Sequence, residues 1–119
     1  MTVTSIHEYD LAADTTDEQF ERAVADAERD GLFDLPGLAE HRFLKGIKGE
    51  RAGQYTALWT YGSRAAWERL WGPPGDPVAP SEYPQRWQEW ERRLAPLLAG
   101  DPDRVRFTSY RAVAPLREE

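Results

Sequence analysis

The stretch from Ala39 to Trp71 reads AEHRFLKGIKGERAGQYTALWTYGSRAAWERLW, and it parses as strand, turn, strand, helix. Gly46, Gly49 and Gly53 give the chain the backbone freedom that a reversal needs. Tyr55, Ala57, Trp59 and Tyr61 then share one side of a period-two pattern, with Thr56, Leu58 and Thr60 on the other. At Gly62-Ser63 the period changes. Ser63 can cap a helix, and Ala66, Trp67, Leu70 and Trp71 follow at helical spacing.

The flanking sequence supplies the partners of this unit. Upstream, Val3, Ser5, His7, Tyr9 and Leu11 alternate with Thr4, Ile6, Glu8 and Asp10, which predicts a strand. Thr15 with Glu18, or Thr16 with Gln19, has the spacing of a capping box. The helix expected after it carries Phe20, Ala23, Val24 and Ala27 on one stripe, and Gly31 is its stop signal. GLFDLPGL is expected to be a loop folded back on the core. A second strand over about Ala39 to Ile47 places His41, Phe43, Lys45 and Ile47 on one face.

Downstream, the excursion from 72 to 84 contains PPGDPVAPSEYP, whose five prolines argue against regular structure. Tyr83, Trp87, Trp90, Leu94 and Leu97 then recur at steps of four, three, four and three, which predicts an amphipathic helix over about 84–95, ended near Pro96. Val105, Phe107, Ser109, Arg111 and Val113 alternate along a last strand, and the PLREE tail at 115–119 reads as frayed.

Composition bounds the reading. A chain of 119 residues fits one domain, 1–119, with one modest core, and 40% apolar content with five Trp is that of a folded protein. A net charge of −6 argues against nucleic acid or an anionic membrane surface as partner. With no Cys there is neither a disulfide framework nor a thiolate metal site. The start, MTVTSIHEYD, has no signal-peptide pattern, and no apolar run reaches membrane-spanning length, so a cytoplasmic protein is expected.

The order β-α-β-β-α-(loop-α)-β, with right-handed crossovers, predicts an α+β, ferredoxin-like sheet ranked 4-1-3-2 with its helices on one face. The more apolar face, with His7, Tyr9, Phe43, Tyr55, Trp59, Tyr61 and Phe107, is assigned to the helices. The opposite face carries Ile6, Leu44, Leu58, Thr56, Thr60, Thr108 and Tyr110 among Glu8, Arg42 and Arg106. Aliphatic residues at the centre of that face predict a homodimer formed through the sheets.

This order, together with LWTYGSRAAWERLW, resembles the dimeric α+β barrel superfamily, and within it the antibiotic-biosynthesis-monooxygenase-like and polyketide-cyclase-like small proteins. The motif is an aromatic residue, one residue and Ser at the end of the third strand, with an aromatic four residues after the Ser: here Tyr61, Ser63 and Trp67. The resemblance covers about residues 3–71 and the last strand; the proline-rich excursion and the Trp-rich helix depart from it. It implies a pocket between sheet and helices for a hydrophobic small molecule, and no cofactor. It places the first-strand catalytic position on His7 and the third-strand aromatic at Tyr61. Haem-degrading relatives would need a later His as iron ligand, and no His follows His41.

The residues support two readings side by side. His7 can take or give a proton near neutral pH and a Tyr hydroxyl can donate to a developing oxyanion, or His7 is a half-buried strand His bonded to a neighbouring Tyr. His41 is expected to face solvent on an edge strand. Tyr9, Tyr55, Trp59, Trp67 and Arg111 are the candidate substrate-binding residues, Arg111 as partner of a carboxylate or enolate. Trp67, Trp71, Trp87 and Trp90 are either core or walls for a flat aromatic ligand. The GIKGERAG run reads as a solvated hairpin tip. Glu8 and Glu40 point away from both His, so no metal site is expected. Two function classes remain: a cofactor-independent enzyme that oxygenates or cyclises an aromatic or polyketide-like molecule, and a non-catalytic binding or assembly protein.

Overall fold

In the computed structural model, which describes residues 2–113, β1 (Val3–Tyr9), β2 (Leu38–Lys45), β3 (Tyr55–Tyr61) and β4 (Arg106–Arg111) form one antiparallel sheet ordered β2-β3-β1-β4. This is the predicted ranking read from the other edge. Helices α1 (Asp17–Arg29), α2 (Arg64–Trp71) and α3 (Gln85–Leu94) carry the connections. The expectation for the 115–119 tail lies outside the described residues.

Local chemistry sets the helix ends. Of the two possible capping boxes the structure uses Thr16 with Gln19: the Thr16 hydroxyl accepts from the Gln19 N–H, and the Gln19 side chain accepts from the Thr16 N–H. The Ser63 hydroxyl caps α2 by accepting from the Ala66 N–H. Gly72 ends α2 at φ +83°, and a Cβ there would stand 2.6 Å from the Asp76 carbonyl oxygen. The Trp71 carbonyl accepts from the Val78 N–H at 3.0 Å, so the proline-rich excursion folds back onto the end of α2. That excursion is not wholly irregular, since Pro80–Glu82 forms a 3-10 turn.

Three strands are shorter than the alternation suggests: β2 stops at Lys45, which leaves Ile47 95% exposed rather than on the inward face. β1 stops at Tyr9, and Leu11 instead makes an isolated bridge to Leu98. β4 begins at Arg106, because the 3-10 turn Pro102–Arg104 holds the chain before it.

The core lies between one sheet face and the helices. Tyr9, Tyr55, Ala57, Trp59 and Tyr61 meet Phe20 and Ala27 of α1, Phe33 and Leu35 of the following loop, and Trp87, Trp90 and Leu94 of α3. GLFDLPGL therefore packs inward as expected, because its apolar side chains complete the layer under α1 and α3. The helix-facing assignment of β1 and β3 holds. Phe107 differs: it lies on the helix side of edge strand β4 yet is 63% exposed.

His41 is a correction. It faces the helices rather than solvent, with its Nε2 2.6 Å from a Glu28 carboxylate oxygen and its ring stacked on Trp59. The hairpin tip is also only partly solvated: Arg51 donates to the Tyr55 carbonyl at 2.7 Å and ties the tip to the end of β1.

Candidate functional site

A cavity of about 420 Å³ lies between the sheet and helices α2 and α3. β1 and β4 give its floor through Ser5, His7, Tyr9, Phe107 and Ser109. Trp67 and Trp71 of α2 and Trp87 and Glu91 of α3 form its sides, and Tyr83, the prolines of the excursion and Asp103 close the rim. The excursion that departs from the family pattern is thus one wall of the cavity.

Register explains how the polar groups converge. His7 pairs with Ala57 on β3 and Phe107 on β4, so it sits on a central strand between β3 and the edge strand β4. It packs edge-on against Trp87 at 5.7 Å and Phe107 at 5.8 Å. Burial lowers the His7 pKa to about 4, so the imidazole is neutral at pH 7. The expectation of a near-neutral His7 is therefore corrected: a cationic imidazolium is poorly solvated among these rings.

The Tyr hydroxyls do not tie His7 down. The Tyr9 hydroxyl is buried without a hydrogen-bond partner, although the Trp90 indole N–H lies close to it. The Tyr61 oxygen accepts from Trp71 Nε1 at 3.1 Å, which leaves its own proton free for donation. Burial raises the pKa of both Tyr hydroxyls well above the usual value, so both are neutral donors.

The structure sorts the candidate substrate-binding residues. Tyr9 and Trp67 line the cavity together with His7 and Tyr61. Trp59 is fully buried beneath Trp87 and supports the cavity from behind. Tyr55 lies at the other end of β3, where its hydroxyl donates to Glu21. Arg111 is exposed, pairs with Val3 at the far end of β4 and is not among the cavity residues. Its parity was read correctly, but its distance along the strand places it beyond the cavity. Among the described residues, no Lys or Arg lines the cavity.

Glu91 was missed. It stands four residues after Trp87 on α3, a helical spacing that the apolar stripe obscured, and its Oε2 accepts from Trp87 Nε1 at 3.2 Å. Burial first, and the charge of Asp103 second, raise its pKa to about 7. This gives a stability prediction. The folded Glu91 holds its proton more tightly than an unfolded carboxyl, so stability from this group is full below about pH 4.5 and is lost as pH rises through about 7. Glu91 is only half-buried, which limits the effect to about 1–2 kcal/mol. Glu91→Gln should therefore melt a few degrees above wild type at about pH 8 and at the same temperature at about pH 5. Equal melting points at both pH values would remove the burial argument.

Comparison with known proteins bears on the fold. No protein-family model matches the chain, and no curated protein matches it in sequence. Solved structures do. SnoaB, a cofactor-independent oxygenase from Streptomyces nogalater, superposes with a TM-score of 0.61 at 17% identity, covering 98% of each chain. A dimeric ferredoxin-like protein of unknown function from Thermobifida fusca gives a TM-score of 0.64 at 12% identity, over 92% of this chain and 90% of that one. A protein from Caulobacter crescentus, provisionally assigned as an antibiotic biosynthesis monooxygenase, gives 0.62 at 14% identity, over 95% and 91%. The chain has the α+β, ferredoxin-like fold of these proteins, as its β-α-β-β-α-β order and the Tyr61, Ser63, Trp67 motif led one to expect.

Among the described residues no helix is long and apolar enough to cross a membrane, and no three His, Asp or Glu side chains gather as a metal-binding group.

Proposed function

We propose that this protein is a small cytoplasmic, cofactor-independent enzyme that abstracts a proton from a flat, hydrophobic aromatic or polyketide-like molecule, leading to oxygenation or cyclisation. The observation that carries the reading is the aromatic cavity whose lining holds a neutral His7 together with two Tyr hydroxyls with unengaged protons. His7 is the proton acceptor. Tyr61 and Tyr9 donate to the oxyanion that forms as the proton leaves. Trp67, Trp71 and Trp87 hold the ring system by face and edge contacts. The fold shared with a cofactor-independent oxygenase supports the reaction class.

Proton abstraction can be tested before the natural substrate is known. 2-Tetralone is a flat aromatic ketone with exchangeable hydrogens beside its carbonyl. In D₂O, followed by NMR, the protein should accelerate their exchange over buffer. Binding of 2-tetralone without acceleration would leave a binding protein and remove the catalytic reading.

The proposed assembly is a homodimer through the sheet face that the helices leave open. Leu44 is 39% and Tyr110 52% exposed there, beside partly exposed Ile6 and Leu58. The Thermobifida protein with this fold is itself dimeric. Light scattering at micromolar concentration should give about twice the 13.6 kDa chain mass; the monomer mass would refute the assembly.

A further inference from the structure

Glu91 gives the cavity a second polar pole that the His7 chemistry leaves unused. Trp87 joins the two: its ring packs against His7 at 5.7 Å, and its Nε1–H is held by Glu91 at 3.2 Å. A flat molecule lying on Trp87 therefore has a proton acceptor at each end. Among the described residues, the charged groups of the lining are Glu91 and Asp103, both acidic, with no Lys or Arg to receive a carboxylate or phosphate. The cations on α3 are engaged elsewhere, Arg86 by the Asp34 carbonyl, Arg92 by Glu89 and Arg93 by Glu89 and Asp30. The buried Tyr9 hydroxyl, without a partner, lies close enough to Glu91 to feel its charge.

We propose that Glu91 is a second proton acceptor of this cavity, and that it selects neutral flat ligands bearing an acidic hydroxyl, a phenol or an enol, over anions and over the corresponding ethers. This rests on the reading of the cavity as a small-molecule site and names what that site distinguishes. In the step itself the ligand O–H bond breaks, the proton passes to a Glu91 carboxylate oxygen and the electron pair stays on the ligand oxygen. Charge is relocated rather than created, and no oxidant or reductant is needed. Tyr9 and Tyr61 donate to the resulting oxyanion. Five groups face Glu91. Asp101 and Asp103 face it from the turn before β4, Tyr83 from the excursion, Tyr9 from β1 and Trp87 from its own helix. Burial first, and then the two aspartates, hold the proton on it; the Trp87 N–H favours its release.

The test uses 2-naphthol, which stays neutral over the range needed, and 2-methoxynaphthalene, which has the same rings without the donor. Their affinities for the full chain are measured by calorimetry at about pH 8 and about pH 5. A hydrogen bond to ionised Glu91 should make 2-naphthol bind roughly 10-fold or more tighter than the ether at the higher pH. The preference should shrink to about 3-fold or less at the lower pH, where Glu91 is protonated. Glu91→Gln should show the small preference at both pH values. Asp103→Asn, by removing a negative neighbour, should move the loss of preference to lower pH; this arm stands if Glu91→Gln proves unstable. Equal binding of the two probes, or a preference that survives Glu91→Gln unchanged, overturns the role of Glu91 and leaves the cavity reading intact. If neither probe binds, the cavity reading fails and the role of Glu91 falls with it.

Discussion

Trp59→Ala should lower the unfolding free energy by about 3–5 kcal/mol, read from the urea midpoint at unchanged slope. Trp59 sits on β3 between β2 and β1 and is fully buried. Its indole touches the rings of His7, Phe33, His41, Phe43 and Trp87, which come from the sheet, the loop after α1 and α3. Removing it leaves a cavity that these neighbours cannot fill without leaving their own contacts. For a domain of this size the loss is a large share of total stability, which is typically about 5–15 kcal/mol. Trp59→Phe should cost much less. It removes a buried indole N–H that has no partner while keeping most of the ring packing. A Trp59→Ala cost below about 1 kcal/mol would show that the aromatic layer is not the core.

His7→Ala should keep the fold and lower the rate of hydrogen exchange on 2-tetralone by roughly 10²–10⁴. In wild type the rate should hold across neutral pH and fall only near pH 4, where the buried imidazole takes up its proton, and the variant should lack that limb. A rate unchanged in His7→Phe would end the catalytic assignment. The same group makes a separate stability prediction. An unfolded His binds its proton near pH 6.5 and the folded one only near pH 4. Stability from this group is therefore complete above about pH 6.5 and is lost as pH falls through about 4. The loss should reach about 2–3 kcal/mol, less where solvent enters the cavity. His7→Phe should show no such acid loss relative to wild type. Glu91 runs the other way over nearly the same range, so the two oppose each other in wild type, and each variant exposes the other's limb.

The pairing of these residues shows how far sequence pattern reaches. Period-two alternation put His7, Tyr9, Tyr55, Trp59 and Tyr61 on one sheet face, and the structure keeps all five there. Alternation says nothing about position along a strand. Tyr55 and Arg111 share that face, yet Tyr55 ends against Glu21 and Arg111 stands opposite Val3, both away from the cavity. The near-neutral titrating group expected in the cavity exists, but it is Glu91 rather than His7. Reference pKa values belong to residue types in water, whereas burial and neighbouring charge decide the actual value.

By itself the sequence determined the elements, their order, the ferredoxin-like sheet ranking and the identity of the inward face. Those follow from backbone preference, capping and periodicity, which act between residues close along the chain. It also held the Tyr61, Ser63, Trp67 turn, because Ser63 needs only its own N–H neighbours to cap α2. The tertiary structure alone decided where the cavity lies and which groups share it. That depends on α2, α3, β1 and β4 meeting around it, and on the proline-rich excursion being tied back by the Val78 N–H to the Trp71 carbonyl. It also brings Glu91, Asp103, His7 and Tyr9 together from segments distant in sequence. Burial, and with it the proton affinity of each group, is a property of that packing and has no local signature in the chain.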